Sequence, residues 1–528
     1  MNRASADVAE APLVGVASWS LVRPVWLTAR LIAAALFGLS MVVYVATRSI
    51  SLDDWDSVNF ARAIDYFDVT WQQPHPPGYP AYVFFARLLN LATHDPLTSL
   101  TLLSALSGAF CLLAVYVLAA DFGAAWAALP LAVMPLFWFN SEMALSDVPG
   151  LAFAAGAVWL LHRATIAPAA GRWWESRRWY LLTAAATAGV GAGVRPQDAI
   201  IPLAVAACYT LPLLVRERNR SLRHDLLLSG GVFVATCLAW GIPLLHSFQN
   251  RDDGIEAFKW QAQYVKGWDS LVAYGAVTPD VVRSRVADFG SAFSSYFGGP
   301  QDGGLVAFCA LAAALATLAI IARRSRACWL ALVWLGSYGM FMLLVMQPAD
   351  PRKILPAIPP MFLLLGAAGT ATGLKGLRTA AIAACTILVI VFTAKSAPLI
   401  RVLDTTLTPP EPAAAYIGSH FPADDTLILA GASDNHIVYR LPDYQSYGVD
   451  FLDQDGLDSE LASKDYQYLL ILDKDGPGVP DRYVLEDEVL FERDSLLDPK
   501  GARVPLRVYS LSEVKADSAA SQSDQPPG

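Results

Sequence analysis

Residues 31–56 read LIAAALFGLSMVVYVATRSISLDDWD, and the change of character within that stretch decides the fold. The part from 31 to 47 carries no charge and continues long enough, at about 1.5 Å per residue, to cross a bilayer core of roughly 30 Å as a helix. Three acids then follow within four positions, Asp53, Asp54 and Asp56. An apolar span that ends on a dense polar cluster predicts a membrane helix delivering chemistry to one face of a bilayer.

Working outward, similar apolar runs recur at 98–119, 125–140, 148–163, 179–193, 199–215, 226–246, 304–322, 328–346, 354–373 and 379–395. The expected fold is an α-helical polytopic membrane protein with about eleven transmembrane helices. Composition agrees, with 55% hydrophobic and 16% charged residues and a mean hydropathy of +0.41. Soluble domains carry about 25% charged residues. Arg23 and Arg30 flank the first run and no small-residue cleavage site follows it, so the run reads as a retained anchor. All six cysteines lie in apolar runs, which predicts small buried side chains rather than a disulfide framework or a CxxC metal site.

The loops divide into two classes. Arg163, Arg172, Arg177 and Arg178 share one loop, and Arg216, Arg218, Arg220 and Arg223 another. Arg323, Arg324 and Arg326 form a third group, Lys375 and Arg378 a fourth. With eleven spans all four fall on one face, which the positive-inside bias makes cytoplasmic. The N-terminus is then inside and the C-terminus outside. The opposite face collects 48–97, 140–147, 194–198, 247–303, 347–353 and the tail from 396, with most of the unusual polar residues.

In loop 48–97, Val58, Ala61 and Ile64 mark one apolar face of a helix over 56–67. The stretch 79–92 is apolar yet short, and predicts a helix lying in the interface. Pro74, Pro76, Pro77 and Pro80 fix the backbone between the two. The tail offers a helix near 410–420 and strand-like runs at 426–431, 436–441, 467–472 and 504–511, the pattern of a small α/β domain. The final dozen residues have the composition of a disordered tail.

Chemistry concentrates on the outer face. One of the three first-loop acids serves to cap helix 56–67; three exceed what a cap needs and suggest a proton acceptor or a cation site. Glu142 and Asp147, in NSEMALSDVPG, sit close to hydrocarbon, where an ionised acid is expensive. They suit a base or a metal ligand, although Asp147 also suits the cap of the next span. Arg195, in GVRPQD, fits an anion such as phosphate or a partner role toward Asp198. Arg352 and Lys353, in DPRKILPAIPP, run against the positive-inside trend and call for a ligand or an acid, Asp350 or a phosphate headgroup. His75, in PHPPGYP, reads as a hydrogen-bonding residue or a metal ligand. Lys259, Trp260, Gln263, Tyr264 and Trp268 combine aromatic and polar groups as sugar-stacking sites do, and as interfacial belts do. No P-loop, dinucleotide fingerprint, HExxH or basic tract is present, which argues against nucleotide, zincin and nucleic-acid chemistry.

Assembled in order, these motifs resemble the GT-C superfamily of integral-membrane glycosyltransferases, in particular bacterial members of the protein O-mannosyltransferase and aminoarabinose transferase type. The matching parts are Asp53-Asp54-Trp55-Asp56, the run His75-Pro76-Pro77-Gly78-Tyr79-Pro80, Leu145-Ser146-Asp147-Val148-Pro149, the Gly-rich end of span five with Arg195, and Arg352-Lys353-Ile354-Leu355-Pro356. The likeness runs over residues 30–395, and with the reading above the chain is expected to divide into a cytoplasmic segment 1–28, a GT-C-like catalytic domain 29–395 with outer loops 48–97 and 247–303, an extracytoplasmic α/β domain 396–515 and a disordered tail 516–528. The resemblance implies a multi-pass protein of the bacterial inner membrane that moves a sugar from a polyprenyl-phosphate carrier to a lipid, glycan or protein acceptor, with inversion. Asp54 or Asp56, or else Asp53, would act as base; Arg195, Arg352 and Lys353 would hold the donor phosphate. No cofactor is certain, and some relatives use a divalent cation, for which Asp147 and Glu142 are the candidates. A transporter or flippase, and a GT-C glycan ligase or polymerase, stand as alternatives. The near absence of charge within the spans and of internal repeats favours the enzyme.

Overall fold

In the computed structural model, residues 19–167, 172–217, 220–248, 250–275, 277–295, 325–346, 351–371, 375–449, 452–473, 478–494 and 503–511 are described. The predicted span 304–322, Asp350 and the two chain ends lie outside them. Among the described residues the membrane part is built from α1 (Trp19–Ala46), α4 (Pro96–Asp121), α7 (Asp147–Ile166), α8 (Arg177–Val194), α9 (Ile200–Glu217), α10 (Arg220–His246), α13 (Arg326–Val345), α14 (Ile358–Ala371) and α15 (Lys375–Thr405). Among the described residues five helices are long and apolar enough to cross a membrane, and Arg30–Ala46 is a shorter apolar helix. The protein is membrane-embedded and multi-pass. Large apolar side chains point outward where lipid would meet them, among them Leu31, Leu39 and Val42 on α1 and Leu227, Leu238 and Leu245 on α10.

The run 125–140 departs from expectation. Instead of one helix it forms a 3-10 turn (Ala125–Ala128), α5 (Leu129–Val133) and α6 (Pro135–Asn140). Pro135 lacks the amide that would continue the ladder, and the preceding Met134 is extended. The break leaves carbonyls that lipid cannot satisfy, so neighbouring helices supply donors: the Tyr44 hydroxyl reaches Ala132 O at 2.7 Å and Ser396 Oγ reaches Val133 O at 2.8 Å.

The two loop classes separate to two ends. Arg163 pairs with Asp121 at 3.2 Å, Arg178 with Asp225 at 3.6 Å, and the Tyr209 hydroxyl donates to Arg326 O at 2.9 Å. These contacts gather the basic loops at one end of the bundle. The other end carries α2 (Trp55–Asp65), α3 (Pro80–Thr93), α11 (Arg251–Tyr264), α12 (Pro279–Ser295) and the C-terminal domain. Both helices expected in loop 48–97 form within two residues of the predicted limits. On α3 the outward residues Phe84, Leu88 and Leu91 are exposed, as an interfacial helix requires.

The C-terminal domain contains α16 (Pro410–His420), β1 (Thr426–Ala430), α17 (Asp434–Arg440), β2 (Gln445–Gly448), α18 (Gln454–Ser463), β3 (Tyr468–Leu472), β4 (Tyr483–Glu492) and β5 (Arg503–Leu511). Its sheet has the order β2-β1-β3-β5-β4, parallel across β2, β1 and β3 and antiparallel across β3, β5 and β4. The run 436–441, expected as a strand, is helix α17. Its Ile437-Val438-Tyr439 run favours a strand locally, yet the polar Ser433-Asp434-Asn435 before it starts a helix, and only Ile437 of the apolar pair is buried. Strands β2 and β4 were not foreseen. Both are edge strands, β4 mostly exposed and β2 without a buried side chain, so no apolar alternation marks them.

Candidate active site

The three first-loop acids have three different environments. Asp54 is the N-cap of α2, its carboxylate accepting the Asp56 amide at 2.9 Å. Asp53 turns the other way, fully buried, and pairs with Arg493 of the C-terminal domain at 2.6 Å. Asp56, in the first turn of α2, faces His75 Nδ1 at 3.3 Å and Arg352 Nη2 at 2.8 Å. Arg352 also lies 3.4 Å from Asp54. The early acids and a late cation, 296 positions apart in the chain, therefore meet.

Local packing holds α2 in this place. Arg87 of α3 donates to the carbonyls of Ile64 and Ala63 at 2.9 and 2.8 Å, closing the C-terminus of α2 with a positive group. Phe60 meets Tyr79 and Tyr82 edge-on, with centroids 5.2 and 4.7 Å apart. The Pro-rich turn bends sharply at Gly78, whose φ of +89 suits a residue without a side chain, and a Cβ there would meet Val69 at 2.9 Å. The turn aims His75 at Asp56 and at the Tyr79 hydroxyl, 3.1 Å from Nε2.

Burial alone would push the Asp56 carboxyl up. The facing charges of His75 and Arg352, with Arg195 further off, outweigh it and hold Asp56 below the usual carboxylate range. Burial works in the opposite sense on His75 and, with Arg352 and Arg195, keeps its pKa below the ordinary histidine value despite Asp56. At neutral pH the pair is a carboxylate beside a neutral imidazole; as pH falls His75 charges first and then holds Asp56 ionised.

A second cluster adjoins the first. Arg195 Nη2 pairs with Asp147 at 2.8 Å and its Nη1 donates to Ser146 at 3.1 Å; both charged side chains are buried. Arg195 thus binds Asp147 directly, while Asp198 stands nearby and is raised to about 7 by burial, against the pull of Arg195. Gly150 allows this approach, since a Cβ there would lie 2.6 Å from both Arg195 Cβ and Asp198 Oδ2. Buried Tyr79 feels the charges of Arg195, Asp56, Asp147 and Arg352 together, which places it between the clusters.

A protein-family model described as dolichyl-phosphate-mannose-protein mannosyltransferase matches residues 74–242. No curated protein matches the chain. Among solved structures, ArnT from Cupriavidus metallidurans bound to undecaprenyl phosphate superposes with a TM-score of 0.55 at 14% identity, over 90% of this chain and 97% of that one. The same protein in its apo state gives 0.50 at 14%, over 92% and 98%. The Archaeoglobus fulgidus oligosaccharyltransferase in complex with Zn and sulfate gives 0.50 at 13%, over 83% and 67%. The chain shares the GT-C-like fold of ArnT.

On this GT-C-like scaffold the remaining candidates separate. Lys353 lies 3.7 Å from Asp269, and its carbonyl accepts the Tyr338 hydroxyl at 3.0 Å. Glu142 does not join Asp147. It takes hydrogen bonds from Thr47 and Trp138, and burial drives it up to about 9, so it is protonated at neutral pH. Lys259 pairs with Glu256 at 2.6 Å on the exposed side of α11, where Gln263 is also exposed, so these two stand apart from the acids. Tyr264 stacks on Trp260 with centroids 5.7 Å apart, and its hydroxyl feels the charges of Asp269 and Asp56. Among the described residues no group of three or more His, Cys, Asp or Glu could hold a metal. A divalent cation at Asp147 would also face the Arg195 guanidinium, so the Asp147–Glu142 pair does not fit one.

Sequence reading missed Asp269, Arg285 and Arg493. Buried Arg285 donates to the carbonyls of Asp269 and Met346, tying the large outer loop to the end of α13. Its signal was available: an arginine on the face opposite the basic loops, the same argument that selected Arg352.

Proposed function

We propose that this protein transfers a sugar from a polyprenyl-phosphate donor to an acceptor hydroxyl at the face carrying α2. That face is extracytoplasmic and the N-terminus cytoplasmic, because the basic loops gather at the opposite end; the membrane is a bacterial inner membrane. The acceptor is a lipid, glycan or protein. The observation that carries this reading is the bridge from Arg352 to Asp54 and Asp56.

A phosphate leaves already anionic, so it needs fixed positive charge rather than an acid. Arg352 and Lys353 supply that charge. The acceptor hydroxyl needs a base, and Asp56 is ionised and supported by neutral His75. Asp56 takes the hydroxyl proton, the acceptor oxygen bonds to the anomeric carbon, and the bond from that carbon to the phosphate oxygen breaks. Direct displacement inverts the anomeric centre. When donor phosphate draws the Arg352 guanidinium toward itself, Asp56 loses part of its counter-charge and becomes the stronger base. Donor binding thereby readies the acceptor step. Arg195, enclosed by Asp147 and Asp198, supports the field around Tyr79 instead of holding the phosphate directly. No step in this scheme uses a divalent cation.

The test is transfer by purified protein from an undecaprenyl-phosphate-linked sugar, followed as release of undecaprenyl phosphate. Asp56→Asn in membranes at normal level should lower it by about 10²–10⁴; a fully active variant would sink the proposal. Consumption of a preassembled glycan, with none of a single-sugar donor, would reassign the protein to ligase chemistry.

A further inference from the structure

The helix that carries Asp56 is held from outside the membrane part. Trp55 Nε1 donates to Asp434 Oδ1 at 3.0 Å, and Asn435 Nδ2 donates to Asn59 Oδ1 at 2.9 Å. Trp55 and Asn59 are four apart on α2, so both face α17, while Asp56 turns toward His75 and Arg352. Just before the helix, His436 Nε2 reaches Leu52 O at 2.7 Å and Arg493 closes on Asp53. Ser51 Oγ links Asp53 and the Thr408 amide, each at 3.1 Å. Tyr439 packs on the apolar cluster of α2 and α3. Behind α17, the carboxylate of Asp473 accepts the amides of Gly431 and Ser433 at 2.8 and 2.7 Å, which fixes the turn that launches α17 from the sheet.

We infer that the C-terminal domain is a clamp on the catalytic helix, with Arg493 and Asp434 as positioning residues that set where Asp56 points. The inference rests on the function proposed above. The contacts alternate with the acids along the chain: Leu52, Asp53, Trp55 and Asn59 are gripped, and Asp54 and Asp56 between them face Arg352. A rigid grip of this kind matters because a base displaced by about 1 Å from its reacting proton can cost roughly 100-fold in rate. The Trp55 ring, bonded to Asp434, also lies 6.4 Å from the His75 ring, so the clamp extends to the partner of Asp56.

The experiment uses the full chain in detergent or nanodiscs. Arg493→Met and Asp434→Ala should each lower kcat about tenfold or more while the donor KM stays within about twofold. They should also shift the acid limb of the pH–rate profile, because Asp56 then stands differently toward His75 and Arg352. Asp434→Asn keeps the acceptor for Trp55 and should restore kcat, as Arg493→Lys should in part. Hydrogen exchange over 52–62 should speed up in Arg493→Met while α4 and α7 stay protected. Wild-type kcat in both Arg493→Met and Asp434→Ala would overturn the inference. So would a joint collapse of kcat, donor binding and protection throughout the membrane helices, since that reports unfolding instead of positioning. The exchange measurement needs no turnover, so the clamp and the glycosyl transfer can fail separately.

Discussion

Replacing Arg352 by methionine keeps the apolar stem of the side chain and removes its charged head. Two effects follow from its position 2.8 Å from Asp56 and 3.4 Å from Asp54. The first acts on the leaving group. A phosphate oxygen about 4 Å from the guanidinium, at an effective dielectric of about 20, gains about 4 kcal/mol. Deleting one preorganised donor to a developing oxyanion costs about 2.7–4 kcal/mol, or roughly 10²–10³ in kcat, in comparable sites. The two figures agree, and the partial exposure of Arg352 favours the lower end. The second effect acts on the base. With Arg352 gone, burial pushes the Asp56 carboxyl up against the remaining pull of His75 and the more distant Arg195. Asp56 then takes up a proton at higher pH than in the native protein, so the acid limb of kcat/KM moves to higher pH. The assay is release of undecaprenyl phosphate across a pH series, with Arg352→Lys beside it. Lysine restores the charge, and with it the acid limb, but not the two-pronged geometry. A kcat within twofold of native in Arg352→Met would refute the leaving-group role. A fall in kcat with an unmoved acid limb would refute the coupling to Asp56.

Asp56→Asn should lower kcat by about 10²–10⁴ and Asp54→Asn by less, since asparagine still caps α2; the same assay on membranes matched for protein level decides it. Arg195→Met leaves Asp147 and Asp198 buried without their cation and should cost about 3–5 kcal/mol, read as a lowered thermal midpoint in detergent, with partial recovery when Asp147→Asn is added. The Glu142 carboxyl, with its pKa raised to about 9, favours the folded state below its ordinary value and loses that contribution as pH rises through 9. Glu142→Gln should therefore raise the thermal midpoint relative to native at pH 9 more than at pH 5. Gly150→Ala forces a Cβ onto Arg195 and Asp198 and should reduce both stability and transfer, measured by the midpoint and by product release.

Much of the architecture was readable because hydrocarbon imposes a local rule. Runs such as 98–119 and 226–246 are long and apolar enough to span as helices, and clustered arginines mark one end of the bundle. The broken segment 125–140 escaped that rule. Its hydropathy matches its neighbours, and only Tyr44 and Ser396, distant in the chain, make the break at Pro135 tolerable. Helix α17 escaped for a related reason, since Ile437-Val438-Tyr439 favours a strand until the Asp473-held turn starts a helix there.

The membrane helices, the gathering of polar residues at one end and the types of group available for chemistry could all be read from residue order, because these depend on composition over a few turns of chain. Tertiary structure alone decided which acid meets which cation. Asp53, Asp54 and Asp56 are equivalent as letters, yet packing gave Asp53 to Arg493, made Asp54 the cap and turned Asp56 toward His75 and Arg352. Pairing of charges falls off over a few ångströms of space, and no distance along the chain encodes that.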